Sequence, residues 1–204
     1  MKIELGFSII CLFAASFAQA EDPLQIDRPT LQIGTRWTMQ TIDGFTKLKQ
    51  SERTSIISSI DEKTIRISDE SGKVTTVLVA PTLAISQSGS RQFDPPIERT
   101  QFPLTIGKSW IQAYSYNNAQ CGKTYSKLKF DVLQWEDIAI PAGKLRALLI
   151  ESEGSWISSC GNDRQHHKYW YVPNVGIAKQ ESMTWAQGRL YSWEIQELVS
   201  GQAM

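Results

Sequence analysis

Apolar residues along most of this chain alternate with polar ones at a period of two. Ile65 and Ile67 face one way while Thr64, Arg66 and Ser68 face the other, and Tyr191, Trp193 and Ile195 oppose Ser192, Glu194 and Gln196 in the same manner. That period belongs to strands with one wet face. Similar runs predict strands near 36–42, 53–60, 73–80, 109–116, 124–140, 144–152, 164–172 and 177–185. Asp43-Gly44, Ser71-Gly72, Pro141-Ala142-Gly143, Pro173-Asn174 and Gln187-Gly188 punctuate them as turns. The pattern therefore predicts an all-β, mainly antiparallel fold with little helix. A flat sheet of this width would leave an apolar face and two unpaired edges in water, so it must curl into a half-barrel or a barrel. Seven tryptophans supply bulk for its concave face.

The pattern also contains an echo. Leu31–Trp37 reads LQIGTRW and Leu104–Trp110 reads LTIGKSW, both of the form L-x-I-G-x-x-W. Two halves that begin alike, about 31–85 and 104–200, predict a duplicated unit. Between them, residues 86–103 hold Gly89, Pro95, Pro96 and Pro103 and lack periodicity, which predicts a long connection.

The first twenty residues break the alternation. Lys2 precedes an apolar run from Leu5 to Phe17 that ends in Ala18-Gln19-Ala20, the order of a cleavable secretory signal peptide. The run is too short to span a bilayer. Cys11 lies inside it, but Ile10 stands where a lipoprotein signal needs a small side chain, so residues 1–20 are read as signal and 21–204 as a single β domain. The chain carries 21 basic and 21 acidic side chains. That balance gives no pull toward nucleic acid or an anionic membrane surface, and no later segment is apolar enough to cross a membrane.

Export changes the meaning of the remaining cysteines. Cys121 and Cys160 form an even pair in an oxidising compartment, which is most simply a disulfide closing a loop of about 40 residues. A metal pair would need further ligands. His166 and His167, the only histidines, are neighbours that a strand points to opposite faces, so no metal site and no cofactor are expected.

From Phe102 onward several motifs follow one another: FPLTIGKSW at Phe102–Trp110, IPAGKLRA at Ile140–Ala147, YWYVPNVG at Tyr169–Gly176 followed by Lys179 and Glu181, and Glu197-Leu198. In this order they resemble a widespread, functionally uncharacterised family of exported proteins of Gram-negative bacteria. The resemblance implies a periplasmic location. It also implies a fold similar to the curved sheets of periplasmic lipoprotein carriers and their receptors, which hold acyl chains against a concave apolar surface. Fold alone does not assign function.

The motifs have structural readings as well. Pro141-Ala142-Gly143 suits a tight hairpin between two long strands, and Pro173–Gly176 suits a corner. On the aromatic strand, Tyr169 and Tyr171 share one face and Trp170 takes the other, so rings enter the interior whichever way it faces; with Trp110 they either pack a core or line a cleft. Lys179 and Glu181 share a face with Ile177, Met183 and Trp185, as a structural ion pair with cross-strand partners or as an anchor for a ligand headgroup. Trp110, Tyr169, Trp170, Tyr171, Lys179 and Glu181 are the candidate ligand-binding residues.

No nucleophile elbow, phosphate loop, dinucleotide fingerprint or metal-ligand spacing occurs, and the surroundings of Glu136, Asp137, Glu151 and Glu153 give no reason for shifted acidities. The expected function is a periplasmic, non-catalytic binding or carrier module for an apolar or acyl ligand. The alternative is a structural or assembly component of the envelope that binds a protein partner, and a hydrolytic enzyme is the third reading.

Overall fold

The computed structural model describes residues 22–201. The expected signal peptide, with Cys11, lies outside the described residues. Twelve strands follow one another: β1 Arg36–Asp43, β2 Lys49–Ile60, β3 Thr64–Ser68, β4 Val74–Val79, β5 Ile85–Ser88, β6 Arg91–Ile97, β7 Ser109–Asn118, β8 Gly122–Ile140, β9 Gly143–Ser158, β10 Gly161–Val172, β11 Gly176–Ala186 and β12 Arg189–Gly201. Each pairs antiparallel with its neighbours in sequence, and β12 pairs with β1, so the meander closes into a barrel. No helix occurs among the described residues.

The two copies of the L-x-I-G-x-x-W motif share one local geometry. Gly34 and Gly107 take φ of 89° and 85°, a region in which a Cβ is strained, and each turns the chain into the first strand of its half. The Gly34 amide donates to Ile57 O at 2.8 Å, and the Ile57 amide donates back to Thr35 O at 3.0 Å. In the second half the Gly107 amide donates to Val132 O at 2.9 Å and the Val132 amide to Lys108 O at 2.8 Å. Six strands follow each clamp.

Alternation decides the two faces of the wall. Thr124, Ser126, Leu128, Phe130 and Val132 of β8 are buried, while Lys123, Tyr125, Lys127 and Lys129 between them are exposed. Register carries the buried face onward, through Val132 opposite Ile150 and Ile150 opposite Tyr169. This is the inner face, and its core joins Phe130, Ile150, Tyr169 and Tyr171 to Trp110, Ile26 and Leu104.

A bulge between Val132 and Trp135 then inverts the face of β8. Beyond it Trp135 still faces inward, opposite Leu148, while Glu136, Ile138 and Ile140 face outward. The tip of the β8–β9 hairpin folds over the outer surface, where Ile138, Ile140 and Ala147 pack with Leu149, Trp170, Val172 and Leu198. The Ala142 amide of the Pro141-Ala142-Gly143 turn donates to Leu198 O at 3.0 Å and pins the tip. The wall is thus buried on both sides there.

Three expectations are corrected. Residues 86–103 are not one connection: most of β5 and all of β6 lie within them, and outside strands there remain only the turn 89–90 and the start of the irregular segment 98–108. Pro95 and Pro96 are tolerated because they fall between the β5–β6 pairs Gln87–Gln92 and Ile85–Ile97, where no ladder bond is lost. The tryptophans do not all fill the concave side, since Trp170 lies under the outer hairpin. Ile177 does not share a face with Lys179: a bulge pairs Tyr171 with Ile177 and Trp170 with Lys179, which leaves Ala178 extra and turns Ile177 inward. A second irregularity after Thr184 also breaks the alternation before Trp185.

Cys121 and Cys160 are bonded, joining the β7–β8 turn to the β9–β10 turn across 39 residues of sequence. Replacing both with Ser is expected to lower unfolding stability by about 2–4 kcal/mol, read from denaturant midpoints of the oxidised parent and the variant. Gly154 is a second sensitive point, because a Cβ there would lie 1.9 Å from Lys127 O on β8. Gly154→Ala should cost about 3 kcal/mol in the same assay, since backbone rather than a side-chain end must move.

Candidate functional site

The site begins with the irregular segment 98–108, which crosses the end of the barrel between β6 and β7. It is tied down at several points. Leu104 exchanges backbone hydrogen bonds with Ile26 at 2.9 and 2.8 Å and is fully buried. Lys108 Nζ donates to Pro103 O at 2.8 Å and to Gln101 O, and Trp110 Nε1 donates to Glu98 O at 3.1 Å.

From this anchored segment Arg99 reaches the inner face. Its Nη1 donates to Gln180 Oε1 at 3.2 Å, and its guanidinium lies 5.6 Å from the centre of the Tyr169 ring. Gln180 and Tyr169 are register partners, both buried. Among the described residues no carboxylate lies within 4.0 Å of Arg99. It is a half-buried cation held by a neutral amide and an aromatic face.

The groups around it are neutral. Tyr169 stacks between Phe130 and His167, with ring centres 6.4 and 6.1 Å away. His167 Nδ1 lies 3.1 Å from Ser182 Oγ. Burial, reinforced by Arg99 and His166, pushes the His167 pKa down to about 3, so the ring is an uncharged hydrogen-bonding group at neutral pH. Burial raises Tyr114 and Tyr171 to about 12, and the buried Tyr171 hydroxyl has no hydrogen-bond partner among the described residues. A fixed cation among neutral hydrogen-bonding groups above stacked rings is complementary to an anion with an apolar body.

Beside this segment the wall is thin. Strands β6 and β7 share a single register pair, Asp94 with Ser115. Side chains stitch the rest: Gln112 Nε2 donates to Pro96 O at 2.5 Å, its Oε1 accepts the Glu98 amide at 2.8 Å, and Ser115 Oγ donates to Asp94 O at 3.3 Å. A cavity of about 370 Å³ opens at this seam, walled by Val79, Ala84, Pro95, Pro96, Trp110 and Ile111.

The six residues singled out in the sequence divide between the two faces. Trp110, Tyr169 and Tyr171 join the inner core, Trp110 stacking on Phe130 at 5.0 Å, and only Trp110 also lines the seam cavity. Trp170, Lys179 and Glu181 lie outside. Trp170 Nε1 donates to Glu136 Oε2 at 2.8 Å, which with Gln134 holds the Glu136 carboxyl below its usual range. Lys179 lies 3.5 Å from both Glu181 and its cross-strand partner Glu197, and 5.0 Å from the Trp170 ring. That is an ion-pair cluster complete in itself. Arg99 and Gln180 were not singled out in the sequence, and His167 was considered there only as a metal ligand. His167 had a signal, being two residues from Tyr169 on the inner alternation, whereas Arg99 lies in a stretch without periodicity.

No family model matches this sequence, and no curated protein matches it. Solved structures do match. A candidate exported protein with a YmcC-like fold from Bacteroides fragilis superposes with a TM-score of 0.56 at 11% identity, over 87% of this chain and 99% of the other. The fold is the YmcC-like one. A candidate lipoprotein from Parabacteroides distasonis gives 0.56 at 12% identity over 89% and 100%. The hypothetical lipoprotein YmcC from Escherichia coli gives 0.50 at 10% over 83% and 86%. At these identities the YmcC-like likeness concerns the fold alone.

The state of His167 has a thermodynamic consequence. Its folded pKa lies below the unfolded value near 6.5, so between the two the unfolded chain binds a proton that the folded barrel refuses. The stability it contributes is fully present above about pH 6.5 and is lost as pH falls toward about 3. Thermal midpoints of His167→Gln, which cannot titrate, should fall less than those of the parent between about pH 6.5 and 4.

Proposed function

We propose that this chain is an exported, non-catalytic binding or carrier module of the bacterial envelope for an amphipathic ligand. Its anionic group pairs with Arg99, and its apolar part lies against the aromatic inner face and the seam. The observation that carries this reading is Arg99, a guanidinium on the inner face that has no carboxylate partner among the described residues. Such a charge is offset by a ligand or by water.

Two further findings support the reading. The prominent carboxylates are engaged structurally: Glu136 by Trp170, and Glu151 by His166 at 3.2 Å and Lys168 at 3.1 Å. The structures of similar fold come from proteins named as exported or as lipoproteins, which supports an envelope location, and the periplasm is the compartment we infer. The protein-partner reading has the β6–β7 seam in its favour, because strands paired at one position leave backbone groups that an added strand could use.

Native mass spectrometry of the protein purified from the periplasm should show a bound amphiphile that is lost, or reduced by about tenfold, in Arg99→Ala; a lost charge-assisted hydrogen bond of about 1.5 kcal/mol corresponds to that factor. Arg99→Lys, which keeps the charge, should retain part of the binding. A parent that carries no amphiphile, together with recovery of one protein by crosslinking in cells, would move the assignment to the assembly component.

A further inference from the structure

The end of the barrel opposite segment 98–108 carries the turns β1–β2, β3–β4, β5–β6, β7–β8, β9–β10 and β11–β12. Four cation–aromatic pairs stand there. Lys47 Nζ lies 3.7 Å from the Trp193 ring centre, the Arg164 guanidinium 4.3 Å from Trp185, Lys123 Nζ 5.2 Å from Tyr125, and the Arg91 guanidinium 5.2 Å from Tyr116. None of these four cations has a carboxylate within 4.0 Å among the described residues.

Two of the acids nearby are turned toward the chain itself. Asp43 accepts the amides of Phe45 and Thr46 at 3.0 and 2.7 Å, and Asp163 accepts those of Arg164 and Gly188, both at 2.7 Å. Residues 43–52, 69–73, 89–91, 119–123, 159–164 and 187–189 hold Lys47, Lys49, Lys73, Arg91, Lys123, Arg164 and Arg189 against Asp43, Glu52, Asp69, Glu70 and Asp163, so a positive excess gathers here although the chain as a whole is balanced. Large apolar side chains share the surface. Tyr191 is 76% exposed, Leu48 67%, Ile157 53%, Phe45 52% and Tyr125 51%. Tyr125 and Ile157 are cross-strand partners, and the Cys121–Cys160 bond fastens two of the turns together.

We propose that this end of the barrel docks on an anionic lipid surface, with the four ring-seated cations meeting phosphate groups and Phe45, Leu48, Tyr125, Ile157 and Tyr191 entering the interface. Charge complementarity selects this partner. Cations already resting on aromatic faces lose little hydration when a phosphate approaches, and amphipathic rings with exposed aliphatic side chains suit the headgroup level of a bilayer. The inference goes beyond the ligand reading and does not depend on whether the lumen is loaded.

Flotation of the full mature protein with vesicles tests it. Binding is expected to phosphatidylglycerol-containing vesicles, to weaken with salt, and to be absent from pure phosphatidylcholine vesicles. Lys47→Gln with Lys123→Gln should reduce binding on the order of tenfold or more. Lys63→Gln with Lys144→Gln removes the same charge at the opposite end and should change it less than about twofold. Circular dichroism and thermal midpoints confirm that both double variants fold. Absence of binding by the parent, equal loss in the two double variants, or equal binding to phosphatidylcholine vesicles would each overturn the proposal. A barrel that floats while carrying no amphiphile in the mass spectrometer would sustain the docking surface and remove the ligand reading, which keeps the two separable.

Discussion

Everything in this barrel depends on how two six-strand halves are joined at two junctions. A free strand edge exposes a row of unsatisfied amides and carbonyls, and a meander can hide both edges only by closing on itself. One junction is a full ladder between β1 and β12, from Trp37 opposite Gly201 to Asp43 opposite Glu194. The other, between β6 and β7, has one register pair and borrows Gln112, Trp110 and Ser115 side chains for the rest. Fewer backbone bonds put the second junction at the low end of local stability. The segment that delivers Arg99 leaves the wall at that same junction, so the weak closure and the inner cation are parts of one arrangement.

Two cations show what the inner face demands. Lys179, on the outer side, has Glu181 and Glu197 at 3.5 Å each and a tryptophan ring beside it, so its charge is balanced by the wall. Arg99, on the inner side, has an amide, a tyrosine face and a histidine that its own charge helps keep neutral. Desolvation penalises both charges, and only the outer one is offset by opposite charge. The same physics therefore leaves the charge of the sequence-visible pair Lys179–Glu181 balanced within the wall and that of the less visible Arg99 without an opposite charge among the described residues.

How far the chain could be read follows from which signals are periodic. Alternation located ten strands and set Trp170 on the face opposite Tyr169 and Tyr171 without saying which face is inner, because a period of two survives wherever one face is wet. It failed at the bulges. Ala178 as an extra residue moved Ile177 to the inner face, and the step between Val132 and Trp135 moved Ile138 and Ile140 outward, where they cover Trp170. One residue reverses every later assignment, and nothing in local composition marks it. Strands β5 and β6 were hidden by Pro95 and Pro96, which signal a loop unless the missing ladder bond is known in advance. The L-x-I-G-x-x-W echo was legible because glycine at positive φ leaves a mark in the sequence, whereas Arg99 acquires its meaning only from long-range contact with Gln180 and Tyr169.

Net charge is the quantity the sequence conveyed least well. Equal totals of acid and base describe the field far from the molecule, beyond a Debye length of about 8 Å in physiological salt. At contact the field is set by a few side chains, and folding sorts them. The carboxylates of Asp43 and Asp163 are drawn onto turn amides, while Lys47, Arg91, Lys123 and Arg164 are lifted onto rings at the same end. Both movements follow from hydrogen-bond and aromatic geometry rather than from overall charge. A barrel neutral in composition is therefore polar in space, with a cationic, aromatic end opposite the end that holds Arg99 and the seam.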